Sequence, residues 1–128
     1  MKNTLLAALV IFILGNFSHA GLPWWCLAPI AAIVGWFIPR GGWGGFLGGF
    51  LGGFLLWLFA AWISDNSNGG MLSTKVGQVF TLQGWQLLLV TGLLGALVGA
   101  FSALTGRLAR GMLTTPSRKR NYLQEKRR

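Results

Sequence analysis

The side chains that could bind a metal ion or move a proton are few in this chain: His19, Cys26, Asp65 and Glu125. They lie far apart, without the paired spacing of a metal site. Nucleophilic catalysis needs a base beside the nucleophile, and the single histidine falls in a short predicted loop. The glycine repeat at 44–54 lacks the Lys-Ser or Lys-Thr of a phosphate-binding loop. We therefore predict no catalysis, no metal and no cofactor in this subunit. The alternative is a shared site that a partner protein completes.

Cys26 is the only cysteine, which excludes an intrachain disulfide. Because it lies within an apolar run, we expect a small, buried, space-filling residue. A reactive thiol or a palmitoylation site is the alternative.

Composition indicates a membrane protein. Of the 128 residues, 53% are hydrophobic and 10% are charged, whereas soluble domains carry about 25% charged residues. The apolar residues form long runs, which are typical of transmembrane helices. A chain this short cannot bury helices that are apolar on every face. The sequence thus predicts an all-α integral membrane four-helix bundle.

The apolar runs set the predicted boundaries. A transmembrane bundle over residues 1–106 is followed by a basic cytoplasmic tail over 107–128. Pro29 is expected to kink the second span, and the polar stretch 64–70 is expected to form a loop. The predicted spans are approximately 4–20, 22–38, 43–63 and 85–105.

Two segments allow alternatives. The first run resembles a secretory signal peptide, with Lys2 before it and a candidate cleavage site after Ala20. We favour an uncleaved helix, because the chain re-enters an apolar run at Leu22 and leaves no exported domain. The segment 72–82 predicts either a short amphipathic helix on the membrane surface or an irregular loop.

Basic residues orient the predicted spans. The chain has eleven Lys and Arg against two acidic residues, for a net charge of +9. With four spans, every basic residue except Lys75 falls on one side, and such residues remain in the cytoplasm. Both termini are therefore predicted to be cytoplasmic, in a bacterial inner membrane. We expect the tail to meet anionic lipid rather than nucleic acid, although it could act simply as a topology anchor or dock a cytoplasmic partner. The predicted headgroup contacts are Arg107, Arg110, Arg118, Lys119 and Arg120.

Glycines four residues apart form rows on the third predicted span, and glycines three, four and seven residues apart form a weaker row on the fourth, because residues at these spacings share one helix face. Rows of small residues let helix backbones approach closely in lipid. We expect the third and fourth spans to pack through these rows. Packing within one subunit is the simplest interpretation; packing between subunits or lining of a pore are alternatives. The predicted packing residues are Gly41, Gly45, Gly49 and Gly53, then Gly44, Gly48 and Gly52, and finally Gly92, Gly95, Gly99 and Gly106.

The stretch 39–107 resembles a family of small, uncharacterised membrane proteins of Bacteroidota. The resemblance is carried by Pro39-Arg40, the Gly-Phe repeat before Leu56-Trp57, the 65–70 loop and the 95–106 strip. It implies a glycine-rich four-span protein and no known activity. The third span is also similar to the Gly-Phe-rich segment of small fluoride channels, but it continues with leucines and a tryptophan where those channels carry Thr and Ser.

Abundant packing surface without chemistry predicts a non-catalytic scaffold or accessory subunit. It would act as a homo-oligomer or within a larger membrane complex. The alternative is a homo-oligomeric ion channel or small transporter, for which the only candidate polar line is Thr91, Ser102 and Thr105.

Overall fold

The computed structural model describes residues 1–18, 23–38 and 41–114. Within these ranges the chain is all-α, which confirms the all-α part of the predicted fold. A short 3-10 helix, Trp24–Cys26, leads into the second α-helix. The α-helices are α1 Lys2–Ser18, α2 Leu27–Phe37, α3 Gly42–Ser67, α4 Met71–Val79 and α5 Gly84–Thr114.

Helices α3 and α5 are long and apolar enough to cross a membrane. At 1.5 Å per residue they measure about 39 Å and about 46 Å, against a hydrocarbon core of about 30 Å. Helices α1 and α2 are also apolar but shorter. They measure about 25 Å and about 16 Å, so they fall short of the hydrocarbon thickness on their own.

Three helix boundaries differ from the prediction. Pro29 lies in the first turn of α2, which begins at Leu27, rather than in the middle of the helix. It is tolerated there because backbone N–H groups of the first turn have no intrahelical partner. Helix α3 continues through the polar residues 64–67, which were expected to form a loop. Helix α5 continues to Thr114, nine residues beyond the predicted end of the span at 105.

A tight turn ends α3. The backbone N–H and the side-chain amide of Asn68 both donate to the carbonyl of Ser64. Gly69 and Gly70 follow with φ of 62° and 70°, a left-handed conformation that glycine adopts without the steric cost of a Cβ.

The segment predicted as either a surface helix or a loop is largely helical, as α4. Ser73 is buried, and its hydroxyl donates to the carbonyl of Gly70 at 3.1 Å. Lys75 and Gln78 are exposed. Helix α4 contacts both α3 and α5, so it covers the end of the bundle where α3 finishes and α5 begins.

The four longer helices pack as a bundle. Helix α3 contacts α5 most extensively, α2 also packs on α5, and α1 packs on α3. Gly49 and Gly53 of α3 meet Gly99 and Gly95 of α5, so these two helices are antiparallel. The core is built mostly of small and branched side chains, and Ile11 is the largest that is fully buried.

Candidate functional site

The backbones of α3 and α5 approach each other closely along a row of glycines. A Cβ added to Gly49 would clash with the carbonyl oxygen of Gly99 and lie 2.8 Å from the Cβ of Ala103. A Cβ added to Gly53 would clash with the carbonyl oxygen of Gly95. Contacts below 3.0 Å essentially never occur for real Cβ atoms, so the two helices can touch this closely only where side chains are absent.

The second glycine row of α3 faces a different helix. A Cβ on Gly48 would lie 3.0 Å from the Cβ of Ala7 and 3.1 Å from the carbonyl oxygen of Thr4. A Cβ on Gly52 would lie 2.8 Å from the Cβ of Ile11. The pairings 48 with 7 and 52 with 11 advance together, so α1 runs parallel to α3.

Helices α2 and α5 meet in the same way. A Cβ on Gly35 would clash with the carbonyl oxygen of Ala103, and one on Gly106 would clash with that of Ala32. Each of these contacts is backbone to backbone. The glycine rows of α3 and α5, together with Gly35 of α2, thus lie at three helix pairs inside one chain.

Not every predicted packing glycine contributes equally. Gly45 is buried and Gly44 is half-buried on α3, while a Cβ on Gly92 would lie 3.0 Å from the ring of Phe54. Gly41 does not belong to the packed face. It precedes α3 in an extended conformation, and nothing lies within 4 Å of its added Cβ.

The residues considered for chemistry are dispersed. Cys26 is buried beside the start of α2, and Asp65 lies in the last turn of α3. His19 and Glu125 lie outside the described residues. Within the described ranges no three His, Cys, Asp or Glu are grouped so that they could hold a metal ion. The absence of catalysis stays a prediction.

The candidate polar line of a channel bonds to its own helix. The hydroxyl of Thr91 donates to the carbonyl of Leu87 at 3.0 Å, and that of Thr105 donates to the carbonyl of Phe101 at 2.8 Å. Ser102 is half-buried. Because such i to i−4 bonds satisfy the hydroxyl hydrogens locally, these two threonines need no pore water.

Arg107 and Arg110 lie near the end of α5 and make one end of the bundle basic. We call this the basic end. The Nη1 of Arg110 donates to the carbonyl of Trp36 at 2.8 Å and to that of Phe37 at 3.3 Å. Carbonyls in the last turn of a helix have no intrahelical partner, and a cation is favourable at that end of the helix dipole. Arg110 therefore caps α2 from a neighbouring helix.

Sequence reasoning missed this capping bond because it assigned Arg110 to a tail beyond the last span. The apolar run of α2 stops just before Pro39, which signals unpaired carbonyls there. Which cation reaches them is decided by the packing of α2 on α5.

A cavity of about 600 Å³ opens beside this cap. It is lined by the start of α1, the end of α2 and the end of α5, including Asn3, Phe37, Arg107, Arg110 and Thr114. Three helices thus bring two guanidinium groups and an amide to one concave surface. The other predicted headgroup contacts, Arg118, Lys119 and Arg120, lie outside the described residues.

A second, larger cavity of about 970 Å³ is an open apolar groove between α1 and α3. Lys2 lines it, as does Trp62 near the far end of α3, with leucines and phenylalanines between them. Leu6 lines both this groove and the arginine cavity. The two cavities are therefore neighbours at the basic end.

No family of known proteins, curated protein or solved structure matches this chain significantly. The resemblance to the small Bacteroidota membrane proteins stays a prediction.

Proposed function

We propose that this protein is a multi-pass inner-membrane protein, with four spans and both termini in the cytoplasm. It would act as a non-catalytic scaffold or accessory subunit. The observation that carries the membrane assignment is the position of the large apolar side chains. Leu93, Leu97 and Phe101 of α5 are 49%, 46% and 59% exposed, and the other long helices expose similar residues. Soluble monomers rarely expose contiguous apolar patches beyond a few hundred Å².

Charge placement supports the proposed orientation. Arg107 and Arg110 share the cavity at the basic end with Asn3, the neighbour of Lys2. Lys75 lies on α4, which covers the opposite end. This separation of basic residues is the pattern expected when one end of a bundle faces the cytoplasm.

The short helices are compatible with a membrane bundle. Helices α1 and α2 are held against the longer α3 and α5 by the glycine contacts described above. A bilayer accommodates a short apolar segment by local thinning, at a cost of fractions of a kcal/mol per Å. The longer helices can extend beyond the hydrocarbon at their polar ends.

The scaffold assignment rests on which side chains make contacts inside the bundle and which face outward. Small residues are used for contacts inside the chain, whereas the outward surface is made of large side chains such as Leu93, Leu97 and Phe101. A closely packed body with an apolar exterior can dock on a larger membrane protein or on a second copy of itself. We therefore expect partners to contact the outer Leu, Phe and Trp side chains rather than the glycine rows.

Native mass spectrometry of the protein, extracted in mild detergent from its own membrane, tests this role. We expect either a homo-oligomer of fixed size or a stoichiometric complex with a larger membrane protein. As a matched pair, Leu97→Ala on the outer face of α5 should reduce the amount of that complex, whereas Leu113→Ala near the end of α5 should leave it unchanged. A protein that stays monomeric at every extraction condition would contradict the scaffold role.

The channel alternative has less support. The hydroxyls of Thr91 and Thr105 are satisfied within α5, and the core of the bundle is apolar. Ion flux in liposomes that disappears in Thr91→Ala would reverse this ranking.

A further inference from the structure

We propose that the basic end of the bundle is a discrete binding site for one anionic glycerophospholipid. Its phosphate would occupy the arginine cavity, and one acyl chain would lie in the adjoining groove between α1 and α3. This inference rests on the proposed membrane location. It goes beyond a diffuse attraction of the basic tail to lipid, because it names one site and its two halves.

The polar half of the site suits a phosphate group. Arg107 and Arg110 are three residues apart on α5, a spacing that places two side chains on one helix face. A guanidinium carries five N–H donors in a planar fork, a geometry that matches phosphate oxygens. Two hydrogen bonds from Nη1 tie Arg110 to α2, which orients its fork at the cavity wall while leaving donors for another acceptor. The amide of Asn3 adds a neutral donor.

The charge balance of the chain favours an anion. The sequence contains eleven basic and two acidic residues. Even if both carboxylates were paired with cations, nine positive charges would still need counter-ions from outside the chain. Asp65, the only carboxylate side chain among the described residues, lies in the last turn of α3 at the opposite end of the bundle.

The apolar groove favours a lipid over a soluble anion as the ligand of this site. The groove is lined almost entirely by carbon, with Lys2 at the basic end and side chains such as Leu9 and Phe12 below it. Leu6 forms part of both linings, so a ligand in the cavity borders the groove directly. A phospholipid joins an anionic head to apolar chains, whereas inorganic phosphate would leave the groove uncovered.

Native mass spectrometry of the full-length protein in non-ionic detergent tests the headgroup. The probes are phosphatidylglycerol and phosphatidylcholine with identical acyl chains, and glycerol phosphate as the head alone. We expect one tightly bound phosphatidylglycerol, with at least about tenfold weaker binding of phosphatidylcholine. Arg107→Gln should weaken phosphatidylglycerol binding about tenfold, as for loss of a charge-assisted hydrogen bond. Lys75→Gln removes the same charge at the opposite end and should bind like the wild type.

Two further variants keep the test independent of folding defects. Arg107→Lys keeps the charge without the fork and should bind between wild type and Arg107→Gln. Leu9→Trp fills the groove without adding charge and should weaken phosphatidylglycerol binding. Leu93→Trp makes the same change on the outer face of α5 and should leave binding unchanged.

Three results would overturn the proposal. They are equal binding of the two lipids, equal binding by Arg107→Gln and Lys75→Gln, or binding of glycerol phosphate as tight as that of phosphatidylglycerol. Each measurement uses solubilised protein and counts the lipid bound per chain, whatever the number of chains in the complex. Failure here would therefore leave the oligomer test of the scaffold role unaffected.

Discussion

The contact between Gly49 and Gly99 predicts that Gly→Ala substitutions destabilise the protein to different degrees, according to how closely another helix approaches. Alanine at position 49 would place its Cβ against the carbonyl oxygen of Gly99, 2.7 Å from the carbonyl carbon. Backbone atoms cannot rotate away as a side chain can, so α3 and α5 must separate. Overpacking of this kind costs about 1–3 kcal/mol.

A matched control is available on α5. A Cβ added to Gly111 meets only Nη1 of Arg107, at 3.7 Å, an ordinary van der Waals distance at the end of a flexible side chain. Replacing glycine by alanine inside a helix favours the helix by about 1 kcal/mol, and both variants share this gain. The difference in unfolding free energy between Gly49→Ala and Gly111→Ala therefore isolates the packing cost. Gly92→Ala should fall between them, because its neighbour at 3.0 Å is the ring of Phe54.

Titration with a denaturing detergent in mixed micelles, followed by tryptophan fluorescence, measures this order. We expect Gly49→Ala to unfold first, Gly92→Ala next and Gly111→Ala last, at or beyond the wild-type midpoint. Equal midpoints for Gly49→Ala and Gly111→Ala would show that α3 and α5 are not in backbone contact, and the packing argument would fail.

Three other predictions follow from the same structure. Arg110→Gln should destabilise the bundle by about 1–2 kcal/mol, since it removes the charged donor to the carbonyls of α2, and Lys75→Gln should be neutral in the same titration. Cys26 is 9% exposed, so it should react with a maleimide far more slowly than a cysteine introduced at the exposed Asn68; equal rates would place Cys26 at the surface. Gly70→Ala should cost about 1 kcal/mol because position 70 has φ of 70°, although nothing lies within 4 Å of the added Cβ, and a thermal melt at or above that of the wild type would contradict this.

Much of the fold follows from local patterns. Long apolar runs predicted the helices, because residues 43–63 and 85–105 have no polar group strong enough to break the backbone hydrogen bonding. The boundaries were less accurate. The polar residues 64–67 extend α3 because a helix end can expose them to water, and the turn comes only where Gly69 and Gly70 adopt positive φ.

The packing rows were also visible in the sequence, since residues four apart on a helix must share a face. The helices that these rows contact could not be predicted from the sequence. Spacing places Gly48 and Gly49 on neighbouring rows, but only the arrangement of helices shows that one meets α1 and the other meets α5. The sequence also placed Arg110 near an end of the bundle without indicating that it caps α2.

By itself, then, the sequence determined composition, helix-forming segments, the surplus of positive charge and the existence of bare helix faces, because these are properties of one segment at a time. The tertiary structure decided which faces meet. It also decided that the glycines are used within the chain and that Asn3, Arg107 and Arg110 surround one cavity. Those outcomes depend on residues distant along the chain, and side-chain volumes and backbone contacts select among pairings that local sequence leaves equivalent.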